Sequence, residues 1–214
     1  MNFKRIAIGG SAANPPHTGH LALIEALIHS NLFDVVIWIP SGNRPDKEME
    51  IEPDHRVAMT ELTFPSILRV RSGTTLVIKY DDVYKSNTPT INRLEALQSE
   101  YPDSEITWYT GADSVIPQKK YGGKCEIEVK WIRGEELFQN WNFLILPRSG
   151  YRQPNNLPAN FKIFGVKLPN VASSHIRKLI ASGQPFEHLL TAEVAEYIKR
   201  FSLYRGAKKH DYSL

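Results

Sequence analysis

The residues best suited to chemistry fall in two short stretches near opposite ends of the chain. The first is Gly9-Gly10-Ser11-Ala12-Ala13-Asn14-Pro15-Pro16-His17-Thr18-Gly19-His20. It follows an apolar run, Ile6-Ala7-Ile8, and leads into a segment where Leu21, Ile24, Leu27 and Ile28 share one helical face. The pattern predicts strand, glycine-rich loop, helix. Glycines let backbone N–H groups approach a bulky anion, and a helix N-terminus adds about half a positive charge aimed at it. His17 and His20, three residues apart, fall on the same side of the first turn. The second stretch is Val171-Ala172-Ser173-Ser174-His175-Ile176-Arg177-Lys178. Ser173 or Ser174 can cap a helix with Arg177 one turn in, so that hydroxyls, free N–H groups and a guanidinium converge on one anion. Both have plainer readings. Gly-Gly after a strand is common in α/β proteins, and a serine cap followed by an exposed arginine is ordinary.

Strand-like and helix-like segments alternate between these two ends. Asp34–Ile39 reads as a buried strand stopped by Pro40, and 41–53 as a polar loop carrying Arg44 and Lys47. Residues 54–64 have helical spacing with Asp54 as N-cap. Extended segments are expected at 67–71 and 76–80, and a helix over 90–101 with Ile91, Leu94 and Leu97 on one face, stopped by Pro102. A strand at 106–110 leads into Gly111-Ala112-Asp113-Ser114, where Asp113 suits either an N-cap or a ligand contact. Residues 115–130 are lysine-rich, contain Gly122-Gly123 and keep no period, which predicts a mobile excursion. A short helix is expected to start at Trp131, strands at 142–146 and 161–166, and helices at 173–182 and 191–201, the last capped by Thr191. Alternation of this kind predicts an α/β, Rossmann-like doubly wound fold, its mainly parallel sheet covered by helices on both faces. In such sheets ligands sit outside the carboxyl ends of the strands, where strand order switches. The loops following the strands hold nearly all the polar residues singled out.

Size and composition narrow the class. The 214 residues suit one domain over 1–205, with 206–214 as a flexible tail. A net charge of +3 favours phosphate-rich ligands only weakly, and no basic block interleaves with aromatics, which argues against nucleic acid. One cysteine, Cys125, excludes an intrachain disulfide and fits a reducing compartment. Apolar runs such as Val35–Ile39 are far too short to span a bilayer, and no signal peptide is evident. A cytoplasmic protein is expected.

The first stretch resembles the nucleotidylyltransferase signature G-G-[ST]-F-D-P-x-H-x-G-H, with Ala12-Ala13-Asn14 where Phe-Asp stands and one residue more. The second resembles the [IV]-S-[SA]-[ST]-x-[IL]-R motif of the same superfamily. Intervening segments are similar to the nicotinate-nucleotide adenylyltransferases. Ile39-Pro40-Ser41-Gly42-Asn43-Arg44-Pro45-Asp46-Lys47 resembles I-P-x-x-x-P-P-H-K, with Asp46 replacing His, and Arg56 and Met59 resemble R-x-x-M. Asn87-Thr88-Pro89-Thr90 resembles P-S-Y-T without its Tyr, and Tyr109–Ser114 resembles I-I-G-x-D-S. Trp131 with Glu135 and Leu137 resembles W-x-x-x-E-x-[IL], Leu146–Tyr151 the R-P-G-Y loop, and Leu189–Arg205 the closing L-L-P-x-x-V-x-x-Y-I-x-x-x-x-L-Y-R. The resemblance runs collinearly over roughly residues 3–205.

The resemblance implies attack by a mononucleotide 5′-phosphate on the α-phosphorus of ATP, releasing pyrophosphate. The acceptor phosphate is already ionised near neutral pH, so alignment and charge stabilisation matter more than a strong base. It further implies that His17 and His20 donate to α- and β-phosphate oxygens, in protonated forms that the triphosphate favours, and that Ser174 and Arg177 hold the leaving pyrophosphate. Gly9, Gly10, Ser11, Gly111, Asp113, Arg148 and Ser173 complete the implied ATP site; Lys47, Thr90 and Trp131 form the implied acceptor site. Mg2+ would be held mostly by phosphate and water rather than by protein. Alternatives remain: nicotinamide mononucleotide or another phosphate monoester as acceptor, or a non-catalytic nucleotide sensor. A relationship to aminoacyl-tRNA synthetases is disfavoured by the absence of a K-M-S-K-S-like loop.

Overall fold

The computed structural model describes residues 4–43, 49–65, 70–71, 73–147, 154 and 156–205. Strand β1 (Arg5–Ser11) and helix α1 (Thr18–His29) are followed by β2 (Val35–Pro40), α2 (Pro53–Thr63), β3 (Val70–Arg71) and β4 (Thr74–Ile78). Then come α3 (Thr90–Glu100), β5 (Glu105–Gly111), α4 (Glu126–Lys130), α5 (Gly134–Asn140), β6 (Asn142–Leu146), β7 (Phe161–Ile163), α6 (Ser173–Ala181) and α7 (Ala192–Arg200). The sheet has seven strands in the order β3-β4-β2-β1-β5-β6-β7. All neighbours are parallel except β3, which runs antiparallel on the edge. The chain winds outward from β1 to one side, then returns to β5 and winds to the other. The switch in strand order therefore lies between β1 and β5.

Strand alternation sorts the core to both faces. Ile6, Ile8, Ile37, Ile106, Phe143 and Ile145 meet Ile91, Leu94 and Leu97 of α3, Ile127 of α4 and Leu137 of α5. On the other face Ala7, Val36, Trp38, Tyr109 and Leu144 meet Leu23, Ile24, Leu27 and Ile28 of α1. A third cluster joins Met59 of α2 to Ile176 and Ile180 of α6, Val194 and Ile198 of α7, and the terminal Leu203 and Tyr204. The C-terminal helices are thereby packed against the helix after β2.

Several expectations are corrected. Residues 115–130 are not an irregular excursion: after single 3-10 turns at Ala112–Ser114 and Lys119–Tyr121 the chain forms α4, and Cys125 and Ile127 are buried. Their spacing shows no helical period because short turns, not one long helix, position them. Gly122 and Gly123 take φ of +64° and +88°, values that favour glycine. Burial pushes the Cys125 thiol up to about 11. Helix α2 begins one residue before the expected Asp54 cap, with Glu52 as N-cap and Pro53 in the first turn; proline's missing N–H costs nothing there. The Asp54 carboxylate instead accepts from the Tyr84 hydroxyl at 2.7 Å. The helix expected from Trp131 starts at Gly134, and Trp131 closes α4 instead. Thr191 does cap α7, accepting from the Val194 N–H. Residues 206–214, expected as a tail, lie outside the described residues.

Asp82 organises the long connection from β4 to α3. Its fully buried carboxylate accepts from the Thr88 N–H at 2.8 Å and Thr88 hydroxyl at 2.7 Å, and pairs with Arg93. Burial alone would push this carboxyl up, but the Thr88 hydrogen bonds and Arg93 outweigh it and hold the group below its usual range. A folded-state pKa below the unfolded one makes the contribution present above the unfolded value and lost as pH falls through the folded one. Asp82→Asn should cost about 2–4 kcal/mol at pH 7, because Arg93 loses its buried partner. Urea unfolding at pH 7 and at lower pH checks this: the gap from wild type should shrink below about pH 4. Equal midpoints at pH 7 would contradict it.

Candidate active site

The sheet opens a crevice at its switch point because β1 and β5 part company. Their pairing ends at Ile8↔Trp108, whereas β1 stays paired with β2 as far as Ser11↔Pro40. Across the gap the Tyr109 ring passes over β1, and its hydroxyl donates to the Ile37 carbonyl of β2 at 2.9 Å. A Cβ on Gly9 would sit 2.5 Å from that ring, so glycine is what lets the ring cross. Gly10 is equally constrained: a Cβ there would lie 1.8 Å from the Ile39 carbonyl oxygen. The sequence pattern predicts phosphate approach for both glycines. Gly10 lines the resulting cleft, but Gly9 does not, because Tyr109 covers it.

The cleft has a volume of about 450 Å³. It is lined by Gly10, Ser11, His17 and His20 from one side, Gly111 at the end of β5 and Asp113 in the turn after it, and Ser173, Ser174 and Arg177 from α6. Residues 168–170, not singled out from the sequence, also border it, as do Val171 and Ala172 of the second stretch. The two informative stretches thus meet across one space.

His17 is the N-cap of α1 and His20 its third residue. Their rings stack with centroids 3.7 Å apart, and the His20 ring meets Trp38 edge-on at 5.1 Å. The His17 backbone N–H donates to His20 Nδ1 at 3.2 Å. Nδ1 is therefore an acceptor, which leaves the neutral ring's proton on Nε2 as a donor. Gly19 makes room for this pair: a Cβ there would lie 3.1 Å from the His17 ring and 3.4 Å from the Pro169 carbonyl oxygen.

The loop between β1 and α1 is tied to three distant elements. Arg56 of α2 is buried and donates to the Ala12 carbonyl at 3.0 Å and to the Ser41 carbonyl. Burial pulls its guanidinium below the ordinary value. From α6, the Ser173 hydroxyl donates to the Pro15 carbonyl and Arg177 Nη1 to the Asn14 carbonyl, each at 2.9 Å. Tyr204, after α7, donates its hydroxyl to Asn14 Oδ1 at 2.7 Å. Neither serine is the expected cap of α6; Ala172 holds that position because the Ser173 hydroxyl is turned to the loop. Asn14 is fully buried, so this departure from the superfamily pattern is a packed, hydrogen-bonded residue.

Two of the implied acceptor residues, Trp131 and Thr90, do not line this cleft. Trp131 packs edge-on against Trp108 and tilted against Phe143, away from the cleft lining, and Thr90 opens α3. Lys47 and Arg148 lie outside the described residues. Among the described residues no three His, Cys, Asp or Glu side chains gather as a metal-binding group, and no helix is long and apolar enough to cross a membrane. The cleft offers hard oxygens: the Asp113 carboxylate beside the Thr110 and Ser114 hydroxyls. These suit a divalent cation that keeps most of its shell as phosphate and water.

Comparison with known proteins identifies the family. The family described as cytidylyltransferase-like matches residues 8–179. The chain is 30% identical to a protein of Carboxydothermus hydrogenoformans named "Probable nicotinate-nucleotide adenylyltransferase", covering 96% of this chain and 100% of that one. A Bacillus pumilus protein of the same name is 29% identical over 95% of this chain and 100% of its own. Among solved structures, Plasmodium falciparum nicotinic acid mononucleotide adenylyltransferase complexed with NaAD shares the fold, with a TM-score of 0.78 at 20% identity, covering 94% and 97% of the two chains. With matches collinear along nearly its whole length, the chain belongs to the nicotinate-nucleotide adenylyltransferase family.

Proposed function

We propose that this protein transfers the adenylyl group of ATP to the 5′-phosphate of nicotinate mononucleotide, giving deamido-NAD and pyrophosphate. The observation that carries the reading is the convergence of the His17–His20 turn and the Ser173–Arg177 turn on one cleft at the strand switch point. In the reaction an acceptor phosphate oxygen forms a bond to the α-phosphorus. The α–β bridging bond breaks, and pyrophosphate leaves with its electron pair. No proton needs removal, so the protein's task is alignment and stabilisation of charge on phosphate oxygens.

His20 Nε2–H and the His17 ring, fixed by stacking and by the backbone, would donate to α- and β-phosphate oxygens. Ser174, the N-terminal N–H groups of α6 and Arg177 would hold the β- and γ-phosphates. Gly10, Ser11 and Gly111 would border the nucleotide, and Asp113 would meet the ribose or a metal-bound water. Mg2+ bound to the triphosphate would neutralise the leaving pyrophosphate. Lys47, Arg148, Thr90 and Trp131 are proposed for the acceptor or nucleotide on the family resemblance. A cytoplasmic setting is proposed on the single cysteine, which is buried and free.

Incubation with ATP, magnesium and either nicotinate or nicotinamide mononucleotide, with products identified by mass, tests the reading. Deamido-NAD and pyrophosphate are expected with nicotinate mononucleotide. Tight ATP binding without product from any monoester would replace the enzyme with a nucleotide sensor. His20→Ala should lower turnover about 10²–10³-fold with little loss of fold, as for other oxyanion-type donors. Unchanged turnover in a well-folded variant would remove His20 from the chemistry. Arg177→Ala should chiefly weaken ATP, which a binding titration checks.

A further inference from the structure

Arg177 is held by two anchors at once. Its Nε donates to Glu50 Oε1 at 2.6 Å and its Nη1 to the Asn14 carbonyl at 2.9 Å. The guanidinium is planar, so fixing both nitrogens fixes the plane, and rotation about the last torsion breaks one bond or the other. Nη2 makes no hydrogen bond among the described residues, and Arg177 lines the cleft. One anchor, Asn14, belongs to the loop of the first stretch. The other, Glu50, lies before α2 and in neither stretch.

We propose that Glu50 is a positioning residue that aims Arg177 at the triphosphate. This rests on Arg177 being a phosphate ligand. A carboxylate near a triphosphate could instead act as a brake, by repelling the nucleotide or by competing for the guanidinium. The magnitudes favour positioning. Glu50 is 47% exposed while Arg177 is 17% exposed, so water and salt screen the carboxylate's repulsion of the nucleotide. The Nε–Glu50 contact is short and works alongside a neutral carbonyl, which alone would leave the long side chain free to swing. Removing Glu50 therefore loosens the arginine more than it relieves repulsion. An amide at position 50 retains an acceptor oxygen for Nε–H and should retain most of the effect.

The test compares wild type, Glu50→Ala, Glu50→Gln, Arg177→Ala and the Glu50→Ala/Arg177→Ala double variant, reading kcat, both KM values and ATP-analogue binding. Glu50→Ala should raise the KM for ATP about three- to tenfold, with kcat and acceptor KM within about twofold. Glu50→Gln should return the ATP KM to within about twofold of wild type. The double variant should match Arg177→Ala, because Glu50 acts only through that side chain. An unchanged or lowered ATP KM in Glu50→Ala, with Arg177→Ala still impaired, overturns the positioning role alone. So does a Glu50→Ala penalty that persists undiminished in the Arg177→Ala background. Unchanged ATP affinity in Arg177→Ala instead removes the phosphate grip itself, and the positioning role with it.

Discussion

The carbonyl groups at residues 12, 14 and 15 leave the sheet where β1 ends and enter a crowded interior, and a buried carbonyl without a donor is costly. Three side chains meet that need: Arg56 from α2, and Arg177 and Ser173 from α6. Hydrogen bonds from charged donors are worth about 1.5–3 kcal/mol each, against about 1 kcal/mol for neutral ones. The two arginines therefore dominate this set. Their bonds set the path into α1, and that path decides where His17 and His20 stand. The loop that presents the histidines is thus held in part by the residue proposed to grip the far end of the triphosphate. Catalytic alignment and local stability share one set of contacts.

A second constraint acts across the sheet. In a parallel sheet the crevice forms where neighbouring strands wind apart, but such a gap exposes backbone groups of both strands. Tyr109 reaches over β1 to the Ile37 carbonyl and fills the space beneath the cleft with its ring. Gly9 is required for that crossing, and Gly10 for the close approach of β2. Glycine at these positions keeps the strands tight under the site. The floor of the cleft is a packed aromatic layer, Tyr109 with Trp38, on which the His20 ring rests edge-on.

Much of this is legible in the sequence alone. Helices with a sustained period, such as α1, α3 and α7, and β-branched strands such as β2 fall within a few residues of expectation, because one buried face imposes a regular spacing. The meeting of the two informative stretches followed from placing both after strands of a doubly wound sheet. What escaped were features made by contact at long range. The Ser173 hydroxyl bonds a carbonyl 158 residues away, so cap chemistry alone misassigned it. Cys125 and Ile127 anchor a region of short turns whose spacing carries no period. Glu50 sits among other acidic residues of a polar loop, and nothing in that composition singles it out.

Asn14 shows how a departure from pattern can be accommodated. Where the superfamily signature has an aspartate, this chain buries an amide that accepts from Tyr204 and lends its carbonyl to Arg177. An unpaired carboxylate in so enclosed a position would pay heavily for desolvation unless a cation answered it. Arg56 and Arg177, which already bond this loop, would be drawn to it, and each charge so neutralised is unavailable to an incoming triphosphate. With the amide, Arg56 is answered by the Ala12 and Ser41 carbonyl dipoles and Arg177 by a half-exposed Glu50. Carbonyl dipoles satisfy the Arg56 donors without cancelling its charge, while Glu50, half-exposed to water, screens the Arg177 charge that faces the cleft.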